Sequence, residues 1–357
     1  LKSRKSGDGH SAKDVPINPQ RVPTMRDVAD RCGLSVGTVS RVLNGNATVA
    51  QDIRRRVEVA IDALGYVPNR IAQSMRKRAT NAVGCLVTDI RLTIAANLVS
   101  GAESRLREAG YDLFLASTHN DPVKEEGIWR FFRERQLDAI ISVSTDDQSA
   151  ERAGLLQSLR MPVVLWERDG GENFDSVLTD HYSGCLEACS YLLDLGHERI
   201  ALVGGRSTVW AGREMERGYR AAMAQAGRDV DPALLFSADT FTHAACSELL
   251  REENGVTAII GVLDVIVLIC KVARAAGRVI PKSLSLISIG DSDTLNMNAP
   301  AISAIRYDAE RHGRTAAEFV LDRLGDSPPG NARRLILPIE LIVRQSCGQP
   351  VAASEAI

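Results

Sequence analysis

The sequence predicts an N-terminal all-α helix-turn-helix domain with a hinge helix, followed by a two-lobed α/β body built on parallel sheets. Three observations predict it: a lopsided charge distribution, a group of short capped helices before residue 66, and apolar strands alternating with amphipathic helices after residue 81. The 357 residues carry 43 Lys and Arg against 45 Asp and Glu. Residues 1–80 alone hold 15 basic and 7 acidic side chains, and the other 277 hold 28 and 38. A net charge of −2 therefore hides a basic module on an acidic body, which suits a polyanion partner for the first part only.

Composition narrows the classes. With 45% hydrophobic and 25% charged residues, a disordered or collagen-like chain is excluded. The longest apolar stretch, Ala258 to Val272, is broken by Asp264, so no membrane span is expected. The opening LKSRKSGDGHSAKD has charge without an apolar core, which implies no secretory signal and a cytoplasmic setting. Seven cysteines, odd in number and mostly in apolar runs, read as buried thiols. The spacing of Cys185 and Cys189 gives no zinc site, and no metal or cofactor is expected.

Element by element, Thr24 stands three residues before Asp27, and Val28, Ala29 and Cys32 share a face, so TMRDVADRC predicts a capped helix closed by Gly33. Leu34 plugs the turn. Ser35 opens a second helix with Val39, Val42 and Leu43 inward, stopped by Asn44-Gly45. A third runs from about Gln51 to Leu64, with Ile53, Val57, Ala60 and Leu64 on one side and Gly65 at its end. Two short helices joined through Gly-Leu and covered by a third describe a helix-turn-helix domain. Val36, Gly37, Ser40 and Arg41 are then left for base edges, Arg41 able to pair bidentately with guanine and Val36 to touch a thymine methyl. Thr24, Ser35, Thr38 and Asn44 suit phosphate oxygens, although plain capping accounts for them as well.

Past Tyr66, Pro68 and Asn69 lead into RIAQSMRKRATN, which is too short to hold as an isolated helix. Folded on a duplex, it would set Met75 into a minor-groove step and Arg76 or Lys77 on phosphates; a basic tether is the plainer alternative. The expected organisation is a disordered arm over 1–21, the helix-turn-helix over 22–66, a hinge over 67–80, the body over 81–346 and a tail over 347–357.

In the body, AVGCLVTDI, YDLFLAS, LDAIISVS and MPVVLWE alternate with helices near 95–109, 122–134 and 150–159. The rhythm resumes with RIALVGG, a weak LLFS, TAIIGV and LSLISIG, so two similar lobes are expected with a boundary near 167–175 and a return of the chain near 296–346. No GxGxxG, P-loop, HExxH or GxSxG is found, which argues against an enzyme. A cleft between lobes implies a small polar ligand, with Asp89, Glu167, Asp180, Arg213, Asp264, Ser292 and Asp293 as candidates because each follows a strand or opens a helix.

TMRDVADRCGLSVGTVSRVLNG, IRRRVEVAIDALGYVPN and IAQSMR resemble the lactose/galactose repressor family of bacterial transcription regulators, and the likeness extends over about residues 22–346 through YLLDLGHERIALVGG, GYRAAM and PAISAIRYD. The resemblance implies a periplasmic-binding-protein-like body, a homodimer on a near-palindromic double-stranded DNA operator, and a small-molecule effector such as a sugar, sugar acid or nucleoside. It places Val36, Gly37 and Arg41 on bases, Thr24, Ser35, Thr38 and Asn44 on phosphates, and Met75 as the hinge wedge, with Ser40, Asn69 and Arg76 on the same DNA face. The chain departs from the family pattern where Met75 replaces Leu and where Gly37 lacks a base-reading side chain. In the pocket, Leu92-Thr93-Ile94-Ala95 lacks the usual aromatic wall, and Met215 stands for the usual Arg. Leu263-Asp264 and Gly290-Asp291-Ser292-Asp293 replace the polar N-D and G-F-D-D. The implied function is a ligand-responsive, sequence-specific transcriptional regulator, a repressor of a metabolic operon. A small-molecule binding protein without a regulatory role is the alternative.

Overall fold

The computed structural model describes residues 23–43, 48–67 and 79–350. The chain divides into a unit of residues 1–78 and a unit of residues 79–357. The expectations for the 1–21 arm, for Asn44, Asn69, Met75, Arg76 and Lys77, and for the end of the tail lie outside the described residues.

In the first unit, α1 (Met25–Cys32), α2 (Val36–Leu43) and α3 (Gln51–Leu64) close around Val28, Ala29, Val39, Val42, Val57, Ala60 and Tyr66. Thr24 N donates to Asp27 Oδ2 at 2.7 Å and Asp27 N returns a bond to Thr24 Oγ1 at 3.4 Å, which satisfies two free donors at the start of α1. Gly33 ends the helix at φ 65°, where a Cβ is strained, and Leu34 N reaches back to Ala29 O at 3.0 Å. Arg56 Nη2 donates to Cys32 O at 2.7 Å and ties α3 to that turn. Helices of eight residues do not persist alone. Each buried aliphatic side chain contributes about 1.5–3 kcal/mol, so this small core is what keeps α2 formed and its opposite face in water.

The second unit holds two sheets. In the first lobe β1 (Ala82–Val87), β2 (Asp112–Ser117), β3 (Ala139–Ser142), β4 (Val163–Trp166) and β5 (Asp175–Thr179) lie in the order β2-β1-β3-β4-β5, with α4 (Thr93–Glu108), α5 (Pro122–Glu134) and α6 (Ala150–Ser158) between them. In the second lobe β6 (Ile200–Gly204), β7 (Leu235–Ser237), β8 (Ala258–Val262), β9 (Ser285–Ile289) and β10 (Ser303–Arg306) repeat that order. Its helices are α7 (His181–Asp194), α8 (Trp210–Gln225), α9 (His243–Leu249), α10 (Leu263–Ala275) and the short α11 (Asp293–Asn296). All these strand pairs are parallel, and β1, β3, β4, β5, β6 and β9 are buried throughout because helices cover both faces.

The chain then returns. Helix α12 (Ala309–Leu324) packs on α4 in the first lobe, where β11 (Arg334–Leu337) joins β5, and β12 (Glu340–Ile342) pairs antiparallel with β10 in the second. At the α4–α12 crossing a Cβ on Gly101 would lie 2.0 Å from Glu310 O and one on Gly313 2.0 Å from Leu98 O, so the two helices approach backbone to backbone. Residues 338–339 link the two lobes directly, so RRLILPIELIVRQS gives one strand to each sheet. The boundary expected near 167–175 falls instead at Thr179 to His181, because the segment after the 168–174 turn is still a strand of the first sheet, Asp175 to Thr179. Among the described residues no helix is long and apolar enough to cross a membrane, no His, Cys, Asp and Glu cluster has the form of a metal site, and all seven cysteines are free.

Candidate functional site

In the helical unit the core takes one face of α2, as Val39 and Val42 are buried, and leaves the other open. Val36 is 42% exposed, Gly37 and Arg41 are exposed, and Ser40 is half-buried. A Cβ on Gly37 would meet only Ser35 Oγ at 3.7 Å, so packing does not demand glycine here. Ser35 Oγ accepts from Thr38 N at 3.1 Å and lies 2.9 Å from Thr38 Oγ1, which gathers both hydroxyls at the amino end of α2. Arg41 Nε reaches Gly37 O at 3.4 Å and pairs with no described carboxylate, leaving the guanidinium open on the surface. Thr24 is held in its capping pair with Asp27.

In the body a cavity of about 530 Å³ lies between the lobes at the carboxyl ends of the strands. It is lined by four of the expected residues, Asp89, Glu167, Met215 and Asp264. The other four belong elsewhere. Asp180 caps α7, its Oδ1 accepting from Ser183 N at 3.1 Å. Arg213 turns to Asp147 Oδ1 at 2.8 Å. Ser292 caps α11, accepting from Leu295 N at 3.4 Å, and it shares with Asp293 a separate depression beside Arg306. All four follow strands or open helices, but Asp180 and Ser292 serve as caps, Arg213 as an ion-pair partner, and Asp293 opens α11 outside the cavity.

The cavity also takes residues that sequence reasoning passed over: Trp166, Arg168, His181, Arg206 and Tyr307. Rings therefore reach the cavity, but from the ends of β4 and β10 rather than from Leu92–Ala95. Glu167 has φ 55°, a left-handed conformation uncommon for a residue with a side chain. It accepts from Thr179 Oγ1 at 2.5 Å and from His181 Nε2. Burial pushes its carboxyl up, and the His181 charge and hydrogen bond, with His312 and Thr179, outweigh that and hold it below the usual range. Thr179 Oγ1 in turn lies 3.0 Å from His312 Nε2, so the first two crossovers meet in one polar network. Asp89 is pinned by Arg91, whose Nη2 lies 2.6 Å from Oδ2.

A second set of bonds crosses between the lobes. Asp147, buried after β3, accepts from Trp210 N at 2.7 Å as well as pairing with Arg213, so a first-lobe carboxylate supplies the cap that Val209 cannot give α8. Arg334 on β11 stacks over the Trp210 ring at 4.5 Å. At the mouth, Arg206 and Asp239 of the second lobe pair at 2.8 Å, and both reach Asn120 of the first.

A helical head with one free helix face and a bilobed body around a polar cleft define a DNA-binding regulator with an effector domain. Residues 24–69 match the model of bacterial regulatory proteins of the lacI family, and residues 189–347 that of the periplasmic binding protein-like domain. The chain is 31% identical over 342 residues to the HTH-type transcriptional regulator CelR of Thermobifida fusca, covering 92% of this chain and 99% of that one. It is 28% identical over 331 residues to the HTH-type transcriptional repressor PurR of Photobacterium profundum, covering 90% and 98%. Among solved structures it is similar to a CelR–cellobiose complex, with a TM-score of 0.67 and 30% identity over 91% of this chain and 99% of that one. The lac repressor dimer bound to operator and the anti-inducer ONPF shares the fold at a TM-score of 0.80 and 20% identity, covering 91% and 99%. The chain belongs to the lacI family of bacterial regulatory proteins. It is a ligand-responsive DNA-binding transcriptional regulator.

Proposed function

We propose that this regulator is a cytoplasmic repressor that binds a near-palindromic duplex as a homodimer and changes its DNA affinity when a small molecule occupies the cleft. The observation that carries the reading is the exposed face of α2, with Val36, Gly37 and an Arg41 that pairs with no described carboxylate presented together. In this reading Arg41 pairs with a guanine edge, Val36 packs on a thymine methyl, and Gly37 lets the helix backbone approach the groove. Ser40 lies at the edge of that surface, and Thr24, Ser35 and Thr38 hold phosphates. Asn44, Asn69, Met75 and Arg76 extend the same surface in the reading. The protein named CelR, solved with cellobiose, and the lac repressor, solved as a dimer on its operator, support a cleft effector and a two-fold arrangement by likeness. Met215, Leu263 and Ser292 replace the polar residues of the family pattern, so a hexose is not assigned.

Operator selection from a random duplex pool, followed by footprinting, tests the reading. The expected result is a symmetric protected site, with binding that falls steeply as salt rises. Arg41→Ala is expected to lose about tenfold or more in affinity for the selected site and little for random duplex. Unchanged sequence choice in that variant overturns the assignment.

A further inference from the structure

The two walls of the cleft differ in chemistry. On the first-lobe side, Arg168 is 6% exposed and lines the cavity, yet its hydrogen bonds go only to main-chain oxygens, Ser144 O and Glu167 O at 2.7 Å for the latter. The carboxylates around it are committed elsewhere. Glu167 serves His181 and Thr179, Glu125 is held by Arg152 and Thr145, and Asp147 by Arg213 and two backbone N–H groups. A buried guanidinium with no carboxylate in direct contact is costly, and although Asp147, Glu167 and Glu125 act on it at longer range, burial pushes this one down to about 10. Two more lining groups are short of partners among the described residues: Trp166 Nε1 at the end of β4 and His181 Nδ1 at the start of α7 are buried and make no hydrogen bond.

The second-lobe side is apolar, with Val209, Met215, Val262, Leu263 and Ile289 on the cavity. Its two opposite charges at the mouth, Arg206 and Asp239, neutralise each other. Asp264 alone pairs with no described Lys or Arg, and burial pushes its carboxyl up, which suits a hydroxyl on the ligand more than a cation.

We propose that the effector is an amphipathic organic acid, its carboxylate paired with Arg168 on the first lobe and its apolar, ring-sized body packed against the Met215–Leu263 wall of the second. Such a molecule supplies the direct ion-pair partner that Arg168 lacks among the described residues, and its body replaces water on the apolar wall. Because it touches both lobes with different groups, it favours one arrangement of them, which is what an effector needs. The inference rests on the regulator reading given above and adds the ligand's class to it.

The experiment measures binding of cinnamate, phenylacetate and octanoate to the full chain by calorimetry and thermal shift, against the neutral amides of the same acids and against cellobiose and adenosine. The same set is then run in an operator-binding assay. At least one acid is expected to bind about tenfold or more tighter than its amide, since a charge-assisted pair to a buried guanidinium is lost in the amide. Arg168→Met is expected to erase the difference between acid and amide. The acid–amide pair on the parent protein decides the matter even where that variant folds poorly. Equal binding of acid and amide, no binding by any acid, or binding by cellobiose or adenosine alone overturns the proposal. If a neutral sugar then alters operator affinity, the regulator reading survives the loss of the acid. If an acid binds and no duplex is ever protected, the cleft chemistry stands and the regulator reading falls.

Discussion

The head and the body place their charges in opposite ways. On α2 the functional groups sit in water, and only the reverse face of the helix is core. In the body several charges are buried: Asp147, Asp175, Glu167 and Arg168 each have side chains out of solvent and hold main chain or another charge. Exposed charges cost little to keep and little to lose, whereas buried charges are expensive unless paired. Head substitutions on the open face should therefore change DNA recognition at nearly constant stability. Substitutions in the body should change stability, lobe geometry and ligand response together.

The largest effect is expected at Asp175. Its buried carboxylate receives Arg323 Nη2 at 2.7 Å, Arg333 Nη2 at 2.8 Å and Arg333 N at 2.7 Å, and so fastens β5 to the returning α12 and β11. Asp175→Ala leaves Arg323 without its carboxylate and Arg333 with Asp322 alone, and should destabilise the body by about 3 kcal/mol in urea unfolding. A pH dependence follows. Burial pushes the carboxyl up, the bonds from Arg323 and Arg333 outweigh it, and the group is held at about 2 against an ordinary 3.8. A folded-state value below the unfolded one means the stabilisation is present above the ordinary value and lost as pH falls from about 4 towards 2. The parent should lose stability through that window, and Asp175→Asn should show a shallower loss there. Identical acid limbs would break the contrast between the two regions.

A middle effect is expected where the lobes meet. Asp147→Ala removes the cap of α8 and the partner of Arg213 at once, while the two sheets stay intact. Those bonds join the lobes, so the variant should scatter X-rays with a larger radius of gyration and bind its effector about tenfold more weakly. An unchanged radius and affinity would show that Asp147 serves only its own loop.

The same contrast explains what could be read from the sequence. Helix caps and apolar spacing are local, so Thr24, Gly33, Ser35, Val39 and Val42 announce the head within a short stretch. The strands of the body were legible because both sheet faces are covered and AVGCLV or VVLW are apolar without interruption. The cleft was legible only in half. Asp180, Arg213 and Ser292 carry the same local mark as Asp89 and Asp264, a polar group at a strand or helix end, and only the tertiary fold decides which of them caps a helix. Arg168 bore one signal, a charged pair directly after the four-residue strand of β4. Its lack of a counter-ion depends on residues 125, 147 and 152, which no local pattern links to it.

The smallest effect sharpens the comparison from the other side. Thr24 combines the two behaviours, since its hydroxyl caps α1 and is also the group proposed to meet a phosphate. Thr24→Ala loses the Asp27 N bond but keeps the Asp27 Oδ2 bond from the backbone of residue 24, so half of the reciprocal pair remains. The expected cost is about 1 kcal/mol in the stability of the head, measured by thermal unfolding of the full chain followed at the head's helical signal. Thr24→Ser keeps an oxygen in the same place and should restore both stability and DNA affinity. Thr24→Asp still offers Asp27 N an acceptor, but it loses the hydroxyl bond to Asp27 Oδ2, faces that carboxylate with like charge and sets a negative charge where a phosphate would lie, so it should lose some stability and weaken DNA binding beyond the Thr24→Ala variant. If Thr24→Asp binds DNA as the parent does, the residue is a cap and nothing more, and the phosphate contacts of the head must come from other groups.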